Sequence, residues 1–270
     1  MGPLLLSMAG ETVLWPSAAT LSVLAAGYLL KLPMHLASAL AIASGFFTAY
    51  SLIYGVFAFP PAEAQGWIPF LITLNLIVFS IDDRIGFSSK TRLAIQATLA
   101  ASGAAVIYLP VFRTGFSIAS FLSGIALWLA LWIAIDRQYS PALFLVAAGN
   151  AIVSATTGST MLGQFGGALA AVMGIHLAFN IPKIRFSLGH AGSAVSASIL
   201  GSLMLTGHVY AQTALTPTLL LFLAFFGPAA AKRLIPGKQT LQFLAGTLLS
   251  LVPVAIASAM AIRSYFSREY

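Results

Sequence analysis

The chain has 270 residues, 59% of them hydrophobic and 7% charged, with a net charge of +7 and no cysteine. Ordinary soluble domains carry about 25% charged residues, so this composition excludes a soluble globular domain and points to a bilayer. The missing thiols exclude a disulfide framework and a thiolate metal site. The positive balance is better explained by membrane topology than by nucleic acid.

About ten apolar segments are long enough, or nearly so, to cross a hydrocarbon core of roughly 30 Å. The first covers residues 13–30, and no basic region before it marks a cleaved signal. The second, 33–59, ends at Pro60-Pro61, and the third, 67–81, is short and stops at Asp82-Asp83. The fourth covers 93–112. The fifth, 117–135, stops at Asp136-Arg137, and the sixth covers 141–157. The seventh, 162–181, stops at Pro182-Lys183. The eighth covers 188–210, the ninth, 214–231, stops at Lys232-Arg233, and the last covers 241–262. The expected fold class is therefore an all-α polytopic membrane protein in one domain, residues 1–270.

The charges sort across these spans. Lys31, Arg84, Lys90, Arg92, Arg137, Lys183, Arg185, Lys232, Arg233 and Lys238 fall on one side, and only Arg113, Arg263 and Arg268 on the other. That bias places the richer side in the cytoplasm and both termini outside. Asp82, Asp83 and Asp136 are then cytoplasmic, while Glu11, Glu63 and Glu269 are not.

Small residues crowd the later spans. Gly163 and Gly167 form a small-xxx-small pair, and Ser193, Ala194, Ser196, Ala197 and Ser198 sit together in the eighth span. Close helix packing explains them, with a homodimer face as the alternative. Trp15, Trp67 and Tyr210 read as interface anchors. Trp128 and Trp132, four residues apart on one helix face, read as packing or lipid contacts. His35, His176 and His208 read as structural.

The run 81–92 carries the chemistry. Two of the six acidic residues of the chain, Asp82 and Asp83, stand side by side at a membrane boundary. Paired carboxylates there are costly to place and suit a divalent cation. The basic residues after them suit an anionic ligand such as phosphate. With Asp136 and His190, the expected cytoplasmic face gathers four candidate ligands at three helix ends. Such a cluster fits phosphoryl transfer to a lipid, in which a metal neutralises a pyrophosphate and cations hold the leaving nucleotide.

Asp82-Asp83-Arg84, Ser88, Arg92 and Gln96 fit the pattern D-D-R-x-x-x-S-x-x-x-R-x-x-x-Q. This resembles the first cytoplasmic motif of the polyprenyl-phosphate N-acetylhexosamine-1-phosphate transferases, the family of phospho-N-acetylmuramoyl-pentapeptide transferase. Phe179-Asn180-Ile181-Pro182 followed by Leu188-Gly189-His190-Ala191-Gly192-Ser193 resembles the family's basic loop ending in M-G-D-x-G-S. The resemblance covers about residues 67–235. It implies transfer of a HexNAc-1-phosphate from a UDP-sugar to a polyprenyl phosphate, in cell-envelope polysaccharide synthesis at a bacterial inner membrane. By resemblance, Asp82 and Asp83 are catalytic, and Arg84, Lys90 and Arg92 hold phosphates. Asp83, His190 and Asp136 would hold Mg²⁺ or Mn²⁺.

The chain departs from that family in places. The second motif, N-A-x-N-x-x-D-G-x-D-G, is replaced at the end of the fifth span by Asp136-Arg137-Gln138-Tyr139-Ser140-Pro141. A second register, from Asn150-Ala151, offers Thr156 and Ser159 where Asp is expected. His190 stands where the family has a metal-binding Asp, and imidazole suits Mn²⁺ or Zn²⁺ better than Mg²⁺. The loop from Lys232 to Thr240 is short, and Ala229, Ala230 and Ala231 follow Pro228 where an Asp is expected. Asp136 either completes a rearranged site or pairs with Arg137 or Arg84, and His190 is a metal ligand, a general base or a structural residue. Three functional readings follow: an active transferase, a pseudoenzyme that binds the lipid phosphate or a partner, and a transporter or flippase.

Overall fold

Each long apolar run folds as a helix, because a backbone without water must satisfy its N–H and C=O groups within its own segment. The structure, a computed structural model, describes residues 2–111, 117–135, 141–180, 186–237 and 239–267. No strand occurs among them. Helix α1 (Gly2–Ala9) passes through a π turn at Gly10–Leu14 into α2 (Trp15–Leu29). Then follow α3 (Met34–Ile53), α4 (Ile68–Ile85), α5 (Ser89–Tyr108), α6 (Ile118–Ala134), α7 (Pro141–Thr156) and α8 (Thr160–Phe179). The chain closes with α9 (Gly189–Tyr210), α10 (Leu215–Leu223), α11 (Gly227–Leu234) and α12 (Gln239–Phe266).

Among the described residues, seven helical stretches are long and apolar enough to cross a membrane: Leu6–Leu29, Met34–Ile53, Ala64–Ile85, Ser89–Val111, Thr160–Phe179, Leu215–Leu234 and Thr240–Phe266. Helices α6 and α7 are apolar but shorter. Helix α9 has 22 residues but is not among the seven, because its glycines, serines and histidines lower its hydropathy.

Helix ends differ from the sequence expectation for local reasons. Helix α4 runs past residue 81 and stops at Gly86, whose φ of 76° gives the left-handed conformation that closes a helix. Asp82 and Asp83 therefore lie in the last turns of a helix, not in the loop after it. Helix α5 starts at Ser89 rather than 93 because Ser88 caps it, its Oγ accepting the Thr91 N–H at 3.1 Å.

Helix α9 is the hub. Every residue from Ala191 to Gly207 is buried, and its small side chains let α3, α4, α5, α6 and α8 pack around it. Trp128 of α6, 1% exposed, fills the gap between α5 and α9. A Cβ at Gly103 would lie 2.6 Å from Cη2 of that indole, and one at Gly201 would lie 2.9 Å from its Cδ2. Packing, not lipid contact, is thus the setting of Trp128 and of the 5% exposed Trp132. Gly163 is used within the chain as well, closing on Ala155 and the Ala151 carbonyl of α7, and Gly167 closes on Thr12.

Candidate functional site

Successive residues on a helix point about 100° apart, so the two aspartates at the end of α4 serve different neighbours. Asp82 turns toward α5. It is 1% exposed and receives three bonds. Arg92 donates from Nε to Oδ2 at 2.5 Å and from Nη2 to Oδ1 at 2.9 Å, and the Phe87 N–H donates to Oδ1 at 2.8 Å. Arg92 Nη2 also donates to the Phe87 carbonyl at 3.0 Å. One guanidinium thereby stitches the turn between α4 and α5, with a fork that lysine could not copy.

Asp83 turns toward α9. Its Oδ1 accepts the His190 N–H and its Oδ2 the Ala191 N–H, both at 2.9 Å. The opening turn of a helix leaves such N–H groups without intrahelical partners, and a carboxylate both bonds them and offsets the positive end of the dipole. Gly189 makes the approach possible. Its φ is 61°, and a Cβ there would lie 2.5 Å from His35 Cβ and 2.9 Å from Asp83 Oδ2. The two sequence motifs, about a hundred residues apart, therefore meet through a carboxylate and a helix N-terminus. His190 Nδ1 lies 3.9 Å from Asp82 Oδ2, which completes the cluster.

The remaining expected residues divide. Arg84 and Lys90 are exposed, and neither forms an ion pair among the described residues. Asp136 lies outside the described residues. Ser88 and Arg92, two of the residues that carry the first motif, serve as a helix cap and as the partner of Asp82. Asn180 has a comparable structural part. Its Oδ1 accepts the Phe186 N–H at 2.8 Å, and its Nδ2 donates to the Phe186 carbonyl at 2.9 Å. Asn150, the start of the second register, is 4% exposed within α7, far from a helix end.

Two histidines are structural, as expected. His176 is 1% exposed, with Nε2 3.1 Å from Ser38 Oγ and Nδ1 3.3 Å from Asn180 Nδ2. His208 donates from Nδ1 to the Thr213 carbonyl at 3.1 Å. His35 is different. It stands in the first turn of α3, on the wall of a cleft of about 570 Å³ shared with Ser80, Ile81, Asp83 and Arg84. No local pattern singles out His35 or Ser80 in the sequence; only the meeting of α3 with α4 brings them to the motif.

The described residues do not fit a divalent cation. No group of three or more His, Asp or Glu side chains among them is placed to hold one. All four oxygens of Asp82 and Asp83 already accept N–H donors. Comparison with protein-family models and with curated proteins finds no match to this chain.

Proposed function

We propose that this chain is a divergent member of the polyprenyl-phosphate HexNAc-1-phosphate transferase family, built as about ten spans with both termini outside the cytoplasm. In this reading it works at the cytoplasmic face of a bacterial inner membrane, on a polyprenyl phosphate and a UDP-sugar. The observation that carries the reading is the convergence of the Asp82-Asp83 motif with the Leu188–Ser193 motif, through two 2.9 Å bonds from the start of α9 to Asp83. Unrelated sequence matches have no physical reason to meet at one end of a bundle. In the reaction, an oxygen of the lipid phosphate attacks the β-phosphorus of the UDP-sugar, the bond from that phosphorus to UMP breaks, and UMP leaves. Of the three cations after the aspartates, Arg84 and Lys90 are exposed and are the ones proposed to meet phosphates.

A second reading, a family member without turnover, is favoured by the engagement of both carboxylates. Asp82 is committed to Arg92 and Asp83 to α9, which leaves a pyrophosphate poorly neutralised. Purified protein given undecaprenyl phosphate and a panel of UDP-N-acetylhexosamines, with Mg²⁺ or Mn²⁺, separates the two. UMP release that vanishes in Asp82→Asn and Asp83→Asn proteins supports the transferase. Lipid binding with no release across the panel supports the second reading.

A further inference from the structure

The cleft beside the aspartates gathers two polar side chains that have no partner among the described residues. It lies at the shared end of two candidate spans, between the first turn of α3 and the last turns of α4. Arg84 projects there, exposed and without a hydrogen bond or ion pair among the described residues. His35 faces it from α3, half-buried, and its imidazole likewise makes no bond among the described residues. Ser80 borders the same cleft, with its hydroxyl buried below the surface.

The rest of the wall is apolar: Pro33, Leu36 and Ile81. The first turn of α3 has no side-chain cap, so its N–H groups and the positive end of its dipole add to the field. The carboxylate of Asp83, which also borders the cleft, is occupied by the start of α9. The cleft thus combines an arginine, a histidine and an apolar floor at the shared end of two candidate spans.

We propose that this cleft seats a phosphate group at the membrane surface, and that His35, which lies outside both motifs, binds it together with Arg84. This rests on the reading of the chain as one that handles a lipid phosphate, and it names the seat. The shared chemistry is the phosphate group, whether carried by a lipid or free in solution. Arg84 supplies a permanent charge with a planar fork, His35 supplies a ring donor, and Leu36 and Ile81 meet the start of a hydrocarbon chain.

The test is binding by the full chain in detergent, followed by native mass spectrometry. Undecaprenyl phosphate, inorganic phosphate and undecaprenol serve as separate probes. His35→Ala and Arg84→Ala should each weaken phosphate binding by about tenfold, the value of one charge-assisted bond. His35→Gln, which keeps a donor, should lose less. Undecaprenyl phosphate bound in preference to inorganic phosphate identifies the source as lipid, and the reverse identifies a soluble phosphate. Unchanged affinity in both alanine variants, or undecaprenol bound as well as its phosphate, overturns the proposal. Gel filtration and melting of each variant separate lost binding from lost fold. The outcome is distinct from that of the transferase reading. His35-dependent binding with no UMP release removes the transferase and leaves the cleft. Release from both variants with unchanged lipid binding removes the cleft and leaves the transferase.

Discussion

Replacing Asp83 by alanine tests the join between the two motifs. The change leaves two N–H donors at the start of α9 without acceptors and removes the charge that offsets the dipole there. Hydrogen bonds to a charged group are worth about 1.5–3 kcal/mol each, and the half-buried setting of Asp83 argues for the lower end. The expected loss is therefore about 3 kcal/mol. For a chain of this size that lowers the melting temperature by roughly 6–12 °C. Asp83→Asn keeps one accepting oxygen and should lose about half as much. Melting in detergent can be followed by tryptophan fluorescence, because Trp128 sits buried between α5 and α9 and reports on the helix that Asp83 caps. An Asp83→Ala protein melting within about 1 °C of wild type would falsify the capping role. A variant that keeps its melting temperature but loses UMP release would move Asp83 from scaffold to chemistry.

Breaking the Asp82–Arg92 pair should cost more, about 3–5 kcal/mol for Arg92→Ala, because it strands a buried carboxylate. Arg92→Lys should fall between, and a double-mutant cycle with Asp82→Asn should show strong coupling in melting or denaturant midpoints. Gly189→Ala should destabilise clearly more than Gly86→Ala. Both need a positive φ, but only at Gly189 does the added Cβ meet atoms, at 2.5 Å, whereas nothing lies within 4 Å at Gly86. Equal melting of the two variants would contradict the close approach. Gly201→Ala should lose about 1–3 kcal/mol by pressing on Trp128, and Trp128→Phe should recover part of that loss.

The helical, membrane-spanning character of the chain was legible from composition and hydropathy alone, since apolar length decides both. The resemblance named Asp82, Asp83 and His190 as candidates, but whether they meet was not legible in the sequence. Periodicity could not show it, because nothing in one helix encodes the position of another. The part played by Arg92 was read from its charge as phosphate binding, but a guanidinium ten residues after a buried carboxylate finds that carboxylate first. Ser88 fits a motif and caps a helix at once, and sequence alone does not separate these roles. His35 was read as structural because a lone histidine near an apolar run has no signature. Its place beside Arg84 depends on how α3 crosses α4. The helix ends missed by a few residues were those set by Ser88 and Gly86, where cap chemistry overrides hydropathy.

Asn180 has a consequence for how this protein can change. Its amide grips both backbone groups of Phe186, so the two ends of the intervening segment are held by one clasp. Whatever that segment contains, α8 and α9 stay in register. Lengthening a flexible loop costs only about 0.6 kcal/mol per doubling once its ends are held. The sequence between the two clasped residues, which includes Lys183 and Arg185, is thereby free to vary in length and charge while α8 and α9 keep their packing.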